Sequence, residues 1–528
     1  MNQLDFPILS LITYFPLFGI ILILILGKVT DQNPKLLWRT GLVISILEFA
    51  LSLPVLINFS SATADMQFVE YAAWIESLGI TYHLGLDGIS LWLVMLTTFI
   101  LPLCILCSFS YIQTRITEYI ISFLLMETAM IGTFLALDLV LFFVFWELML
   151  IPMFLLIGIW GGPRKIYSAV KFFLYTAVGS IFMLVAIIAL YLLQLKSTGL
   201  ASTNLFDFYS LHIPVSAQFW LCTAFFLAFA IKVPIFPLHT WLPDAHVEAP
   251  TAGSVVLASI LLKMGTYGFI RFAMPLFPYA AHQYIPVIAT LGVVAIVYAA
   301  LVSWVQKDIK KLVAYSSVSH MGYVMLGLFA LNIQGIEGGI YQMLNHGLST
   351  GALFLLVGMI YERRHSRDMD DFGGLAKVMP VFATFLMIAT FSSLAVPGTN
   401  GFVGEFLILF GAFKSYPVFA AIGTSGALFG VIYMLWMYQR VMFGPVDKSE
   451  NMGLKDLSLR ETAIMLPIAA LILIMGIFPG LFLRKMDASV EHVVKTYQQR
   501  FAQYEASVQA QEPPELALAV QHKPFGGK

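Results

Sequence analysis

WLCTAFFLAFAIKVPIFPLHTWLPDAHVEAP, residues 220–250, decides how this chain is read. A mostly apolar run leads to Lys232, and Pro234 and Pro237 follow at once. A lysine that deep in a membrane span costs roughly 3 kcal/mol on insertion scales. Proline removes a helical donor and clashes with the preceding turn, so the helix is expected to break just after the lysine. Broken backbone at membrane depth is tolerated only inside protein or beside a wet cavity. The stretch therefore reads as an ion or proton site within a membrane-spanning bundle.

The rest of the chain fits that setting. Of its 528 residues, 59% are hydrophobic and 11% charged, where a soluble domain carries about 25% charge. A net charge of −1 gives no sign of nucleic acid. Cys104 and Cys107 form a lone CxxC in an apolar stretch. Without a second pair it reads as helix packing rather than a zinc or iron–sulfur site. The first apolar run, Ile8–Leu26, lacks a basic leader and reads as a span, not a cleavable signal.

A span needs roughly 20 apolar residues, which gives about fourteen spans here. They are 8–27, 38–57, 85–109, 118–137, 139–160, 168–194, 216–246, 252–275, 284–305, 311–332, 337–360, 378–413, 417–442 and 460–483. The ranges 216–246 and 378–413 are long and contain Pro and Gly, so each reads as one interrupted span. The fold class is an all-α polytopic membrane protein. Basic residues crowd the odd-numbered connections, as in Arg164/Lys165, Lys307/Lys310/Lys311 and Arg363/Arg364/Arg367, while even connections hold only Lys196, Arg271 and Lys414. Odd connections are thus expected to face the cytoplasm and both termini the other side. Arg484 and Lys485 break this sorting. The tail that they begin is expected to be a surface helix lying on a partner, with a Pro-containing, disordered end at Pro513 and Pro514.

Ionisable groups lie inside these spans. Glu147, Lys232, Lys263, His320, His346 and Glu405 occupy six different spans near mid-depth. Glu127 is a seventh such group, ranked lower. Each has a plainer explanation: a lone histidine is more often a packing group, Lys263 could snorkel, and Glu147 could be a structural partner. For the set, a shared polar line lowers the cost of insertion. Carboxylate, amine and imidazole all exchange protons, and separating a buried Glu from a Lys changes the lysine's proton affinity. Sodium prefers several oxygen ligands and would be repelled by two lysines. The breaks at Val233–Pro234 and Val396–Pro397 lie five spans apart, as expected for two inverted five-helix repeats over spans four to eight and nine to thirteen. Gly161–Gly162–Pro163 lacks phosphate-loop spacing and reads as a turn. WLPDAHVEAP, with His239 and His246, reads as a turn rather than a metal site.

FFVFWELMLIPMFLLIGIWGG, AFAIKVPIFPLHTWLPDAHVEAPTAGSVVLASILLKMGTYG, DIKKLVAYSSVSHMGYV, LNHGLSTGALFLLVG and VPGTNGFVGEFLILFGAF resemble the antiporter-like membrane subunits of respiratory complex I. The resemblance covers nearly all of residues 80–445. It implies fourteen helices and one proton channel. It also implies that Glu147 pairs with Lys232, Lys263 carries protons to the middle, His320 and His346 link, and Glu405 lies on the exit side. Glu at 405, and no long lateral helix after the last span, favour the M-type over the terminal L-type chains.

The expected division is 1–117, N-terminal helices; 118–275 and 284–442, the two repeats; 460–483, the last span; and 484–528, a polar tail. The expected partners are the other membrane subunits of complex I, including neighbouring antiporter-like chains, and the bilayer of a bacterial inner membrane. No cofactor is expected in this chain; NADH, flavin, iron–sulfur clusters and quinone are implied in partner subunits. Alternatives are a subunit of a multi-subunit cation/proton antiporter, of a membrane hydrogenase, or of the photosynthetic relative of complex I. A membrane scaffold is a further alternative, but leaves the buried lysines unexplained.

Overall fold

A computed structural model describes residues 6–29 and 33–511; the expected disordered end at Pro513 and Pro514 lies outside them. Among the described residues, twelve helices are long and apolar enough to cross a membrane. Two of the expected spans do not qualify. Ile309–Leu328 is helical throughout, but Lys310, Lys311, Ser316, Ser317, Ser319 and His320 make it polar. The range 378–413 is divided into Pro380–Ser393 and Asn400–Ser415, each shorter than a span requires. At the centre lie Thr251–Leu276 and Ile333–Arg364, the most apolar window of each being wholly buried. Lys165–Thr198, at 39%, is peripheral.

Both expected breaks are present. Helix Val215–Lys232 stops at the lysine, and Trp241–Glu248 resumes after the prolines. Trp241 Nε1 donates to the freed Ile231 carbonyl at 2.9 Å, which keeps the broken backbone satisfied at depth. The second break runs through Ala395, in the left-handed region at φ 53°, and Gly398 at φ 92°.

Two further irregularities were not expected. The helix carrying Glu147 is interrupted at Met149, between Leu139–Leu148 and Leu150–Trp160. Pro152, which has no N–H to offer the carbonyl of Leu148, explains it. The helix carrying Lys263 contains two π-helical stretches, Leu257–Leu261 and Phe269–Ala273. Such turns often mark functional sites.

The fold is not purely helical. Gln67–Ile75 and Ile80–Leu86 form an antiparallel hairpin between the second and third long helices. Glu70 on it accepts from Leu9 N at 2.7 Å and Ser10 N at 3.0 Å, the free amides that begin helix Ile8–Val29. This fixes the hairpin to one end of the bundle.

The tail needs correction. Gly480–Gln511 is a 32-residue helix, so a long helix does follow the last span. It is helical, as expected, and one side of it packs on this chain. Gly88 N donates to Ser489 Oγ at 3.0 Å, Tyr497 OH to the Pro278 carbonyl at 3.2 Å, and Ile213 N to Tyr504 OH at 2.8 Å. Gly88 opens the helix that follows the hairpin, so the tail helix and the first helix's start share one end of the bundle.

Candidate functional site

The six candidate residues fall into two groups. Lys263, His346, His320 and Glu405 are buried and form a line. Lys263 Nζ donates to the Ala258 carbonyl, in the π-helical turn, and lies 2.6 Å from His346 Nδ1. The His346 and His320 rings are 5.8 Å apart between centroids. That is too far for a direct bond but within the reach of one bridging water. His320 Nδ1 lies 3.2 Å from Glu405 Oε1, and its Nε2 lies 3.1 Å from Ser393 Oγ.

The second break builds this end of the line. Ser393 ends one half-helix and Glu405 lies in the other, so both reach His320 from one interrupted segment. Gln342 Nε2 donates to Glu405 Oε1 at 3.2 Å. Gly404 allows the approach: a Cβ there would lie 2.4 Å from Gln342 Oε1 and 2.5 Å from Asn345 Nδ2.

Glu147 and Lys232 form the other group. Lys232 is 1% exposed. Its Nζ lies 3.4 Å from Met149 Sδ and over the rings of Trp146 and Phe172, at 5.2 and 5.7 Å from their centroids. This cage is soft and aromatic, with cation–π attraction in place of a carboxylate. Glu147 is half-buried, and its Oε1 has no partner among the described residues. The two are near enough for their charges to interact, yet they make no ion pair in this conformation. The pairing implied from sequence is therefore one of neighbourhood, not contact. Gly265 holds the groups together: a Cβ there would lie 3.1 Å from Lys232 Cβ, so the Lys232 and Lys263 helices meet at that point.

Three buried groups were missed or misjudged from sequence. His246 is no turn residue. It is fully buried on Trp241–Glu248, stacks on Phe354 at 4.5 Å between centroids, and neither ring nitrogen has a partner among the described residues. It is close enough to Lys263 and Lys310 to feel their charges. The signal was a histidine in a polar segment between two apolar runs. Lys310, expected in a cytoplasmic connection, is 7% exposed and donates to the Ala249 carbonyl at 2.6 Å. Glu48 carries the same signal as Glu147, a lone acid within an apolar span. It lies near Glu127; both are fully buried, with no partner for any carboxylate oxygen among the described residues.

A separate ion pair supports the Lys263 helix. Arg271 Nη2 lies 2.6 Å from Asp87 Oδ2, both almost wholly buried. Asp87 also caps helix Gly88–Tyr111, accepting from Ile89 N and Ser90 N.

Residues 136–430 match the family described as NADH:quinone oxidoreductase/Mrp antiporter, transmembrane. The chain is 48% identical over 502 residues to NADH-quinone oxidoreductase subunit M of Rhodobacter capsulatus, covering 93% of this chain and 97% of that one. It is 46% identical over 488 residues to NADH-ubiquinone oxidoreductase chain 4 of Arabidopsis thaliana, covering 91% and 97%. A chain in the structure of respiratory complex I from Thermus thermophilus with bound NADH superposes with a TM-score of 0.84 at 32% identity, over 93% of this chain and 99% of that one. A chain of the Mrp complex from Dietzia has a TM-score of 0.80 at 20% identity, over 94% and 99%, which shows a shared fold.

Proposed function

Because the chain belongs to the NADH-quinone oxidoreductase subunit M family, we propose that it is the membrane subunit through which a respiratory NADH:quinone oxidoreductase translocates protons. Glu147, Lys232, Lys263, His346, His320 and Glu405 carry them. The observation that supports this most is the buried line Lys263–His346–His320–Glu405, in which an amine, two imidazoles and a carboxylate follow one another. Each can take and release a proton.

Glu147 and Lys232 act as the entry pair. Their separation in this conformation suits a switch: bringing them together stabilises the charged lysine, and moving them apart favours proton release to Lys263. The broken helices give Lys232 and Glu405 room to move without exposing backbone to lipid. Ten of the fourteen expected spans, four to eight and nine to thirteen, arranged as two inverted five-helix repeats would give each repeat one break and one half-channel.

In this reading the chain carries protons, while NADH, flavin, iron–sulfur clusters and quinone belong to partner subunits. Its neighbours are other membrane subunits, including antiporter-like chains, in a bacterial inner membrane with both termini on the non-cytoplasmic side. Moving one proton against 100 mV takes roughly 2.3 kcal/mol, so the driving signal must arrive laterally from those neighbours.

Two results are expected. Tagged and purified from its membrane, the chain should bring with it flavin and iron–sulfur proteins and NADH-dependent quinone reduction. Recovery only with membrane partners, and ion exchange without NADH oxidation, would assign it to a cation/proton antiporter. Within the complex, Glu147→Gln should impair proton uptake nearly as much as Glu147→Ala, since Gln keeps shape but loses charge. Glu127→Gln should be milder, because Glu127 neighbours Glu48 and Glu147 neighbours Lys232. Equal losses at 127 and 147 in a vesicle pumping assay would overturn the choice of Glu147.

A further inference from the structure

Away from the proton line, a cavity of about 240 Å³ opens between helices Pro34–Asn58, Gly88–Tyr111, Ile333–Arg364 and Leu459–Ile477. Its walls include Leu53, Leu56, Trp92, Phe99, Leu348 and Phe482, and every lining residue is apolar or aromatic. The one polar side-chain atom among them, Trp92 Nε1, is already used, donating to the Phe482 carbonyl at 3.1 Å. A water needs two to four polar partners, so a space so lined does not hold water.

The lining residues are spread along the axes of the spanning helices, the direction that a lipid tail takes in a bilayer. Leu56 lies near the end of its helix, Trp92 near the start of its own, and Phe482 at the start of the tail helix. These three mark the mouth. Phe99 lies seven residues below Trp92 on the same helix, about 10 Å deeper at 1.5 Å per residue. The open side is flanked by half-buried residues of helix Pro34–Asn58, including Phe49 and Leu53.

A cation sits at the mouth. Lys485 Nζ donates to the carbonyl of the lining residue Leu56 at 3.1 Å and lies over the Phe59 ring. That bond uses one of three ammonium donors, and Lys485 is in no ion pair among the described residues. Arg484 is exposed beside it. These are the two basic residues that break the charge sorting of the connections.

We propose that this cavity is a binding site for one acyl chain of an anionic phospholipid, whose phosphate pairs with Lys485. The apolar walls hold the chain, Trp92 and Phe482 lie at the level where ring and headgroup meet, and the ammonium selects negative charge. The site also gives the basic pair at this end of the bundle a partner, and a lipid there adds to the direct bonds that hold the tail helix on the bundle.

The test uses the whole purified complex in bilayers doped with phosphatidylglycerol carrying a photoreactive diazirine at mid-chain. After irradiation, adducts are expected on Leu53, Phe99 or Leu348 above the level on the peripheral helix Lys165–Thr198. Unlabelled phosphatidylglycerol should compete and phosphatidylcholine should compete less. Lys485→Gln should lower labelling about fivefold. Leu53→Trp, which fills the space, should abolish labelling at Phe99 even if Lys485→Gln fails to assemble. Adducts no higher than on the peripheral helix, labelling unchanged by either substitution, or equal competition by the two lipids would overturn the proposal.

Discussion

Lys232→Ala is expected to abolish NADH-driven proton uptake in vesicles containing the assembled complex, and to slow quinone reduction with it where the two are tightly coupled. The physical reason is the cage. Lys232 ends a helix among Met149, Trp146 and Phe172, and among the described residues no other amine contacts that cage. Without it a proton crossing the gap would be an isolated charge in apolar surroundings. An insertion penalty of roughly 3 kcal/mol for such a charge corresponds to a rate loss on the order of a hundredfold. Lys232→Arg distinguishes charge from proton release. Arginine keeps the charge but is not deprotonated in proteins, so it should fail as alanine does. Pumping restored by arginine would reduce Lys232 to a fixed charge; full pumping in Lys232→Ala would remove it from the path.

Arg271→Met should destabilise the subunit by about 3–5 kcal/mol, the usual result of leaving one member of a buried ion pair without the other. Asp87 would then face an apolar interior with only its capping bonds to Ile89 and Ser90. Burial pushes the Asp87 carboxyl up, but Arg271 and Ser90 more than offset this and hold it below its usual value. The pair therefore stabilises the fold at neutral pH, and its contribution is lost as pH falls through the lowered value. Adding Asp87→Asn should recover part of the loss, since asparagine also caps a helix and carries no charge. Thermal unfolding of the purified complex measures both effects. An unchanged melting temperature in Arg271→Met would mean that the pair contributes nothing.

Much of the site was legible in the sequence because membrane insertion makes ionisable residues conspicuous. Glu147, Lys232, Lys263 and Glu405 each stand in an apolar run, His320 and His346 in more polar stretches long enough to span, and an ionisable residue at that depth is costly enough to need a reason. The same rule applied to Glu48 would have found it. His246 escaped because the short helix that buries it, Trp241–Glu248, is too polar to look buried. Pro234 and Pro397 announced the two breaks, since a missing amide is a local fact. The π-helical stretches around Lys263 left no such mark, because they depend on how neighbouring helices press together.

The sequence by itself thus determined the membrane setting, the approximate spans, the breaks and six of the buried titratable groups. All follow from properties of short segments: apolar length, proline chemistry and the cost of burying charge. The tertiary structure alone decided which groups touch. It joined Lys263 to His346 and His320 to Glu405, and it kept Glu147 apart from Lys232. It turned the tail back onto its own chain and formed the apolar cavity beneath it. Those outcomes depend on contacts between residues far apart in the chain, and on close approaches permitted by Gly265 and Gly404, which no local pattern records.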